Sequence, residues 1–138
     1  MGWVIAALPV VPGAVEGELL VSSEPLSFWG GYAAETGRII DRRHPMNGKN
    51  GAGKVLAVPF TRGSSTTTAV LLEAIRQGNA PAAILTIGTD MFLALAAFVA
   101  EELFEDTLPV LSLEESDFKR LESGVKVSID LDGHIKSI

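Results

Sequence analysis

The stretch KVLAVPFTRGSSTTTAVLLEAIRQGNAPAAILTI, residues 54–87, decides how this chain folds. Residues 54–60 are an apolar run of the kind a strand buried on both faces requires. A polar turn follows, and from residue 64 to 77 the positions Val70, Leu71, Ala74 and Ile75 fall on one stripe at helical spacing. Gly78 stops that helix and Pro81 reinforces the stop. Residues 82–87 read as a strand again, and strand, helix, strand in that order is the repeating unit of an α/β domain.

Downstream the pattern continues. Residues 90–104 form a second helix with Asp90 as N-cap, 110–113 a strand behind Pro109, and 114–121 a short helix. Residues 125–138 are a hairpin in which Val125, Val127, Ile129 and Leu131 alternate before a turn at Asp132 and Gly133. Upstream, 3–11 and 15–21 read as two strands joined by the turn residues Pro12 and Gly13. Residues 22–27 are then a polar connection, 38–41 a short strand, and 48–53 a loop too glycine-rich for regular structure. The expectation is one α/β or ββα domain over residues 1–138, its first half mainly sheet and its second half supplying the helices.

The chain has 138 residues, 47% of them hydrophobic, enough for one real core. It has no Cys, which excludes disulfides, zinc–thiolate sites and any iron–sulfur cluster held by its own thiolates. The longest apolar run, residues 91–100, is ten residues against the roughly 20 of a membrane span and reads as a buried helix. Residues 3–11 lack a preceding basic segment and carry Pro9, so the expectation is a cytoplasmic protein with no membrane partner.

A net charge of −6 argues against nucleic-acid binding. The sum hides a polarity: residues 1–69 carry six basic and five acidic side chains, residues 70–138 five and twelve. Between residues 36 and 64, Arg38, Arg42, Arg43, Lys49, Lys54 and Arg62 face only Asp41, a surplus of +5 that suits a small anionic ligand.

Within that window residues 48–54, GKNGAGK, match the spacing of a phosphate-binding P-loop up to its lysine. Val55 stands where the magnesium-binding Ser or Thr belongs, and the glycines precede a strand instead of following one, so no nucleotide site is expected. Residues 59–65, PFTRGSS, are the better site. They lie between a buried strand and a helix, where the free N–H groups of the first helical turn favour an anion. Arg62 supplies a bidentate clamp, Gly63 lets the backbone approach a ligand, and Ser64 or Ser65 places a hydroxyl at the same point. The helix terminus and the guanidinium would stabilise a serine alkoxide acting as a base, although Ser at a helix start also serves as an ordinary cap. Thr66, Thr67 and Thr68 are β-branched residues in a first helical turn, which a ligand-facing role would explain. Phe28 and Trp29 read as packing residues, His44 with Asp41 makes a weak metal site, and His134 reads as exposed.

Six segments in order, LSFWGG (26–31), TGRIID (36–41), HP (44–45), GKVLAVP (53–59), RGSS (62–65) and LLEAIRQGNAPAAI (71–84), together resemble the small subunit of the aconitase X family. The resemblance implies the swivelling β/β/α domain of the aconitase superfamily. It also implies a large aconitase X-type subunit as partner, which would hold a 4Fe-4S cluster or iron centre while this chain binds none. By the same resemblance Ser64 would be the base that takes a proton from the carbon next to a substrate carboxylate, with Arg62, Gly63 and Ser65 lining the anion site. The implied reaction is loss of water from 5-phosphomevalonate, as in an archaeal-type mevalonate pathway, or from cis-3-hydroxy-L-proline; a non-catalytic anion-binding module is the further alternative. The +5 window favours the first, doubly anionic substrate. Phe60 and Thr61 stand where relatives more often have small residues.

Overall fold

A computed structural model describes residues 2–63 and 65–138; Ser64 lies outside the described residues. The elements run β1 (Val4–Ala6), β2 (Leu8–Val11), β3 (Val15–Val21), β4 (Leu26–Ser27), β5 (Val55–Ala57), β6 (Thr61–Arg62), α1 (Ser65–Arg76), β7 (Ala83–Ile87), α2 (Met91–Phe104), β8 (Val110–Leu113), α3 (Glu115–Phe118), β9 (Lys126–Ile129) and β10 (His134–Ser137). Eight strands form one sheet in the order β1-β10-β9-β3-β5-β7-β8-β2. The middle ladders β3–β5, β5–β7 and β7–β8 are parallel, with the others antiparallel.

Residues 3–11 are therefore two strands, not one, and they are not half of a hairpin with β3. β1 pairs with β10 at one edge of the sheet and β2 with β8 at the other, yet only Ala7 separates them. Both edges must meet at that residue, so the sheet curls until it nearly closes. The seam is held where the Ala7 N–H donates to the Gly133 carbonyl at 2.9 Å. Pro9 marks its own segment as an edge strand, since it cannot donate to a ladder, but nothing in the run of nine residues marks the transfer at Ala7.

Period-two alternation sorts the parallel strands between two apolar layers. Val55, Ala57, Ala83, Leu85, Leu111 and Leu113 point into one, with Ile5, Val127, Ile129 and Ile135 from the antiparallel side and Phe118 from α3. Leu56, Val58, Ile84 and Val110 point into the other, against Leu71, Ala74 and Ile75 of α1 and Leu93, Ala94, Ala97 and Ala100 of α2. Burial on both faces is why these strands are almost continuously apolar. Each fully buried Leu or Ile contributes about 1.5–3 kcal/mol.

Helix α2 buries one face only: Met91, Leu95 and Phe98 are exposed, because a single helical layer covers the sheet. The reading of 91–100 as wholly buried is corrected to that extent. Asp90 caps α2 as expected, accepting from the N–H groups of Phe92 and Leu93. The third helix is one turn, shorter than residues 114–121, and 38–41 makes only isolated bridges, Tyr32 with Ile39 and Arg38 with Asn50. The loop from 28 to 53 packs over the end of α1 through Phe28 and Tyr32, whose rings are 5.1 Å apart. The Tyr32 hydroxyl donates to the Asn79 carbonyl at 2.6 Å, and burial pushes its pKa well above the usual tyrosine value. Trp29 stays outside. Among the described residues no helix is long and apolar enough to cross a membrane.

Candidate active site

In α/β sheets the carboxyl ends of the parallel strands collect ligands, and residues 58–63 lie at that end of β5. The chain leaves β5 and enters β6, which pairs in parallel with β4 so that Leu26 faces Thr61 and Ser27 faces Arg62. The expected polar connection at 22–27 thus ends in a strand; two ladder residues are too few to leave a periodic trace. Thr61 is anchored to Asp90, whose Oδ2 accepts from the Thr61 N–H at 3.3 Å and from its hydroxyl at 2.5 Å. Oδ1 of the same carboxylate accepts from Phe92 and Leu93 at 3.1 and 3.2 Å. One side chain therefore ties the loop after β5 to the helix after β7.

The carbonyl of Arg62 accepts from the Thr67 hydroxyl at 3.3 Å. Gly63 has φ 110°, and a Cβ there would lie 3.2 Å from Thr66 Oγ1 and 3.3 Å from Thr67 Oγ1, so the position suits glycine on both counts. Ser65 opens α1 and is exposed. Thr67 and Thr68 tie the turn to its neighbours, while Thr66 is exposed. Thr67 is buried and holds the Arg62 carbonyl, while the Thr68 hydroxyl donates to the Phe92 carbonyl at 3.1 Å and joins α1 to α2. β-Branched residues are tolerated in that first turn because their hydroxyls fix the turn to its neighbours.

Arg62 lines a cleft of about 360 Å³ together with Glu24, Pro25, Ser27, Asp41, Arg43, His44 and Pro45. Its walls are the segment before and within β4 and the loop at 41–45. Buried His44 joins them: its Nε2 lies 3.1 Å from the Pro25 carbonyl, and its Nδ1 accepts the Met46 N–H at 3.1 Å. A carbonyl can only accept and an amide N–H only donate, so the partners set Nε2 as the donor and Nδ1 as the acceptor. Both ring nitrogens are committed to backbone, which removes His44 as a metal ligand. Among the described residues neither Arg43 nor Arg62 has a carboxylate oxygen within ion-pair distance, whereas Lys54 is paired with Glu18 at 3.7 Å.

The arrangement can therefore hold an anion against guanidinium groups at the carboxyl end of β5, beside the N-terminus of α1. The P-loop-like segment takes another course. Gly51 and Gly53 donate to the Gly37 and Ala80 carbonyls, and the chain then enters β5, not a helix. Among the described residues Asp130, Asp132 and His134 form one group with metal-ligand spacing, on the exposed hairpin turn. The Asp130 carboxylate is already engaged there by the N–H groups of Asp132 and His134, both at 3.0 Å, and by the His134 ring at 3.3 Å. Sequence reasoning missed Glu24, Ser27 and the double duty of Asp90; a cap Asp that also reaches a distant loop looks like any other cap.

The description "aconitase X swivel domain" matches residues 4–137. The chain belongs to the aconitase X swivel domain family. It is 36% identical over 121 residues to a phosphomevalonate dehydratase small subunit of Methanothermobacter thermautotrophicus, covering 87% of this chain and 88% of that one. It is 50% identical over 106 residues to a cis-3-hydroxy-L-proline dehydratase of Pseudomonas aeruginosa, covering 77% of this chain but 18% of the other. The swivel domain thus spans about a fifth of the hydroxyproline dehydratases it matches. A crystal structure of Thermococcus kodakaraensis aconitase X in its holo-form superposes with a TM-score of 0.86 at 30% identity, over 98% of each chain. The mixed α/β architecture with a nearly closed sheet is that of the aconitase X swivel domain.

Proposed function

We propose that this chain is the small subunit of a cytoplasmic two-chain hydro-lyase that converts (R)-5-phosphomevalonate to trans-anhydromevalonate 5-phosphate, with Ser64 as base. The observation that carries this reading is the match to phosphomevalonate dehydratase small subunits nearly end to end in both directions. Arg62 would bind an anionic group of the substrate, Gly63 would admit it close to the backbone, and Ser65 would line the same site. In sequence Ser64 lies between Gly63 and Ser65, the first residue of α1; a helix terminus and a guanidinium at that point would favour an alkoxide. Its oxygen would take the proton from the carbon next to the carboxylate. The electrons of that C–H bond become the double bond as the hydroxyl on the adjacent carbon departs, and the products balance as water and the unsaturated acid.

This chain has no Cys to hold an iron–sulfur cluster or iron centre, and the cleft histidine is committed to backbone. We assign that group, a Lewis acid for the departing hydroxyl, to the large subunit. A second reading is favoured by the 50% identity to the Pseudomonas enzyme: the same chemistry on cis-3-hydroxy-L-proline, which also carries a proton next to a carboxylate. Reconstitution with the large subunit and assay on both compounds decides between them. Turnover of phosphomevalonate supports the first reading, turnover of hydroxyproline alone supports the second, and tight stoichiometric binding of a phosphorylated ligand by the isolated chain, with no large subunit co-purifying and no turnover on reconstitution, supports a non-catalytic module.

A further inference from the structure

We propose that Arg43 is the second half of a two-guanidinium clamp, binding the substrate's anionic group in the cleft jointly with Arg62. The inference rests on the hydro-lyase reading for its substrate and on geometry for its site. Six cations crowd residues 36–64, but only two of them, Arg43 and Arg62, line the cleft. They reach it from different parts of the fold, the 41–45 loop and β6, so a ligand between them is held from two sides.

Two carboxylates share the lining, Glu24 and Asp41, and neither comes within 4 Å of either guanidinium among the described residues. One oxygen of Asp41 is spent on the backbone, accepting the Arg43 N–H at 3.0 Å, and the Asp41 carbonyl accepts the His44 N–H at 3.1 Å. These bonds form a closed turn, and His44 pins it to Pro25 across the cleft. The Arg43 backbone is thereby fixed before any ligand arrives, which lowers the ordering cost of binding. Two charge-assisted donors on unpaired guanidinium groups suit a carboxylate or a phosphate ester, while an ammonium would seek Asp41 or Glu24 instead.

The test uses the reconstituted two-chain enzyme and, separately, the full chain titrated with inorganic phosphate while the arginine Nε–H signals are followed by NMR. Arg43→Gln is expected to raise KM at least about tenfold with kcat within about threefold, and to weaken phosphate binding by a similar factor. Arg38→Gln, which removes a cation of the same window outside the cleft, is expected to leave both unchanged. If KM rises for phosphomevalonate and hydroxyproline alike, the clamp holds their common carboxylate; if only for phosphomevalonate, it holds the phosphate. Unchanged KM and unchanged phosphate binding in Arg43→Gln overturn the proposal, as does an equal effect of Arg38→Gln or a larger one of Asp41→Asn. An enzyme inactive on both compounds would count against the hydro-lyase reading alone, because loss of phosphate binding in Arg43→Gln still supports the clamp.

Discussion

His44 shows how one side chain can mislead in sequence and explain itself in structure. Next to Asp41 it looked like half of a weak metal site, but it is buried and spends both nitrogens on backbone partners. Replacing it with Phe would leave the Pro25 carbonyl and the Met46 N–H without partners, a cost of roughly 1–3 kcal/mol. Urea unfolding should show that loss, and a slackened cleft should raise KM as well. An unchanged midpoint would mean that the tie between the cleft walls carries no energy. The place of Arg62 in a cleft wall was legible, because residues 59–65 read as the turn between a buried strand and a helix. The depth of His44 was not, since burial depends on the distant residues 24–25.

Among the elements, the crossover units were the readable part. Strand β5, helix α1, strand β7 and helix α2 each carry their own period, and Asp90 and Gly78 mark their ends. The two-residue strands β4 and β6 carry none, and the bond from Asp90 to Thr61 links loops 29 positions apart. A double-mutant cycle with Asp90→Ala and Thr61→Val should show a coupling of about 1 kcal/mol or more in stability, and additive effects would contradict the anchor. The β9–β10 hairpin offers a pH test. The N–H of His134, and after it that of Asp132, hold the Asp130 carboxyl below the usual carboxylate range. A depressed folded-state pKa gives stability that is present above the unfolded value and lost as pH falls through the folded one. Asp130→Asn should therefore be less stable than the parent at neutral pH, with the gap closing in acid. A gap that widens in acid would contradict the assignment.

For the whole molecule, closure of the sheet is the feature the sequence concealed, because the transfer from one edge to the other occurs at Ala7 inside an unbroken apolar run. Gly133 meets that seam with φ 90°, and a Cβ there would collide with the Ala7 carbonyl. Gly133→Ala should cost at least about 2 kcal/mol, against about 1 kcal/mol for Gly53→Ala, which has positive φ but open space. Equal losses in thermal unfolding would mean the seam is loose. Of the six cations in residues 36–64, folding brings Arg43 and Arg62 to the cleft, with Glu24 and Asp41 in the same lining.

The most direct measurement is turnover by the reconstituted two-chain enzyme carrying Ser64→Ala. A fall in kcat of about 100-fold or more, with the subunits still assembling and substrate still binding, is the outcome expected of a lost general base. Turnover near that of the parent would show that another group removes the proton.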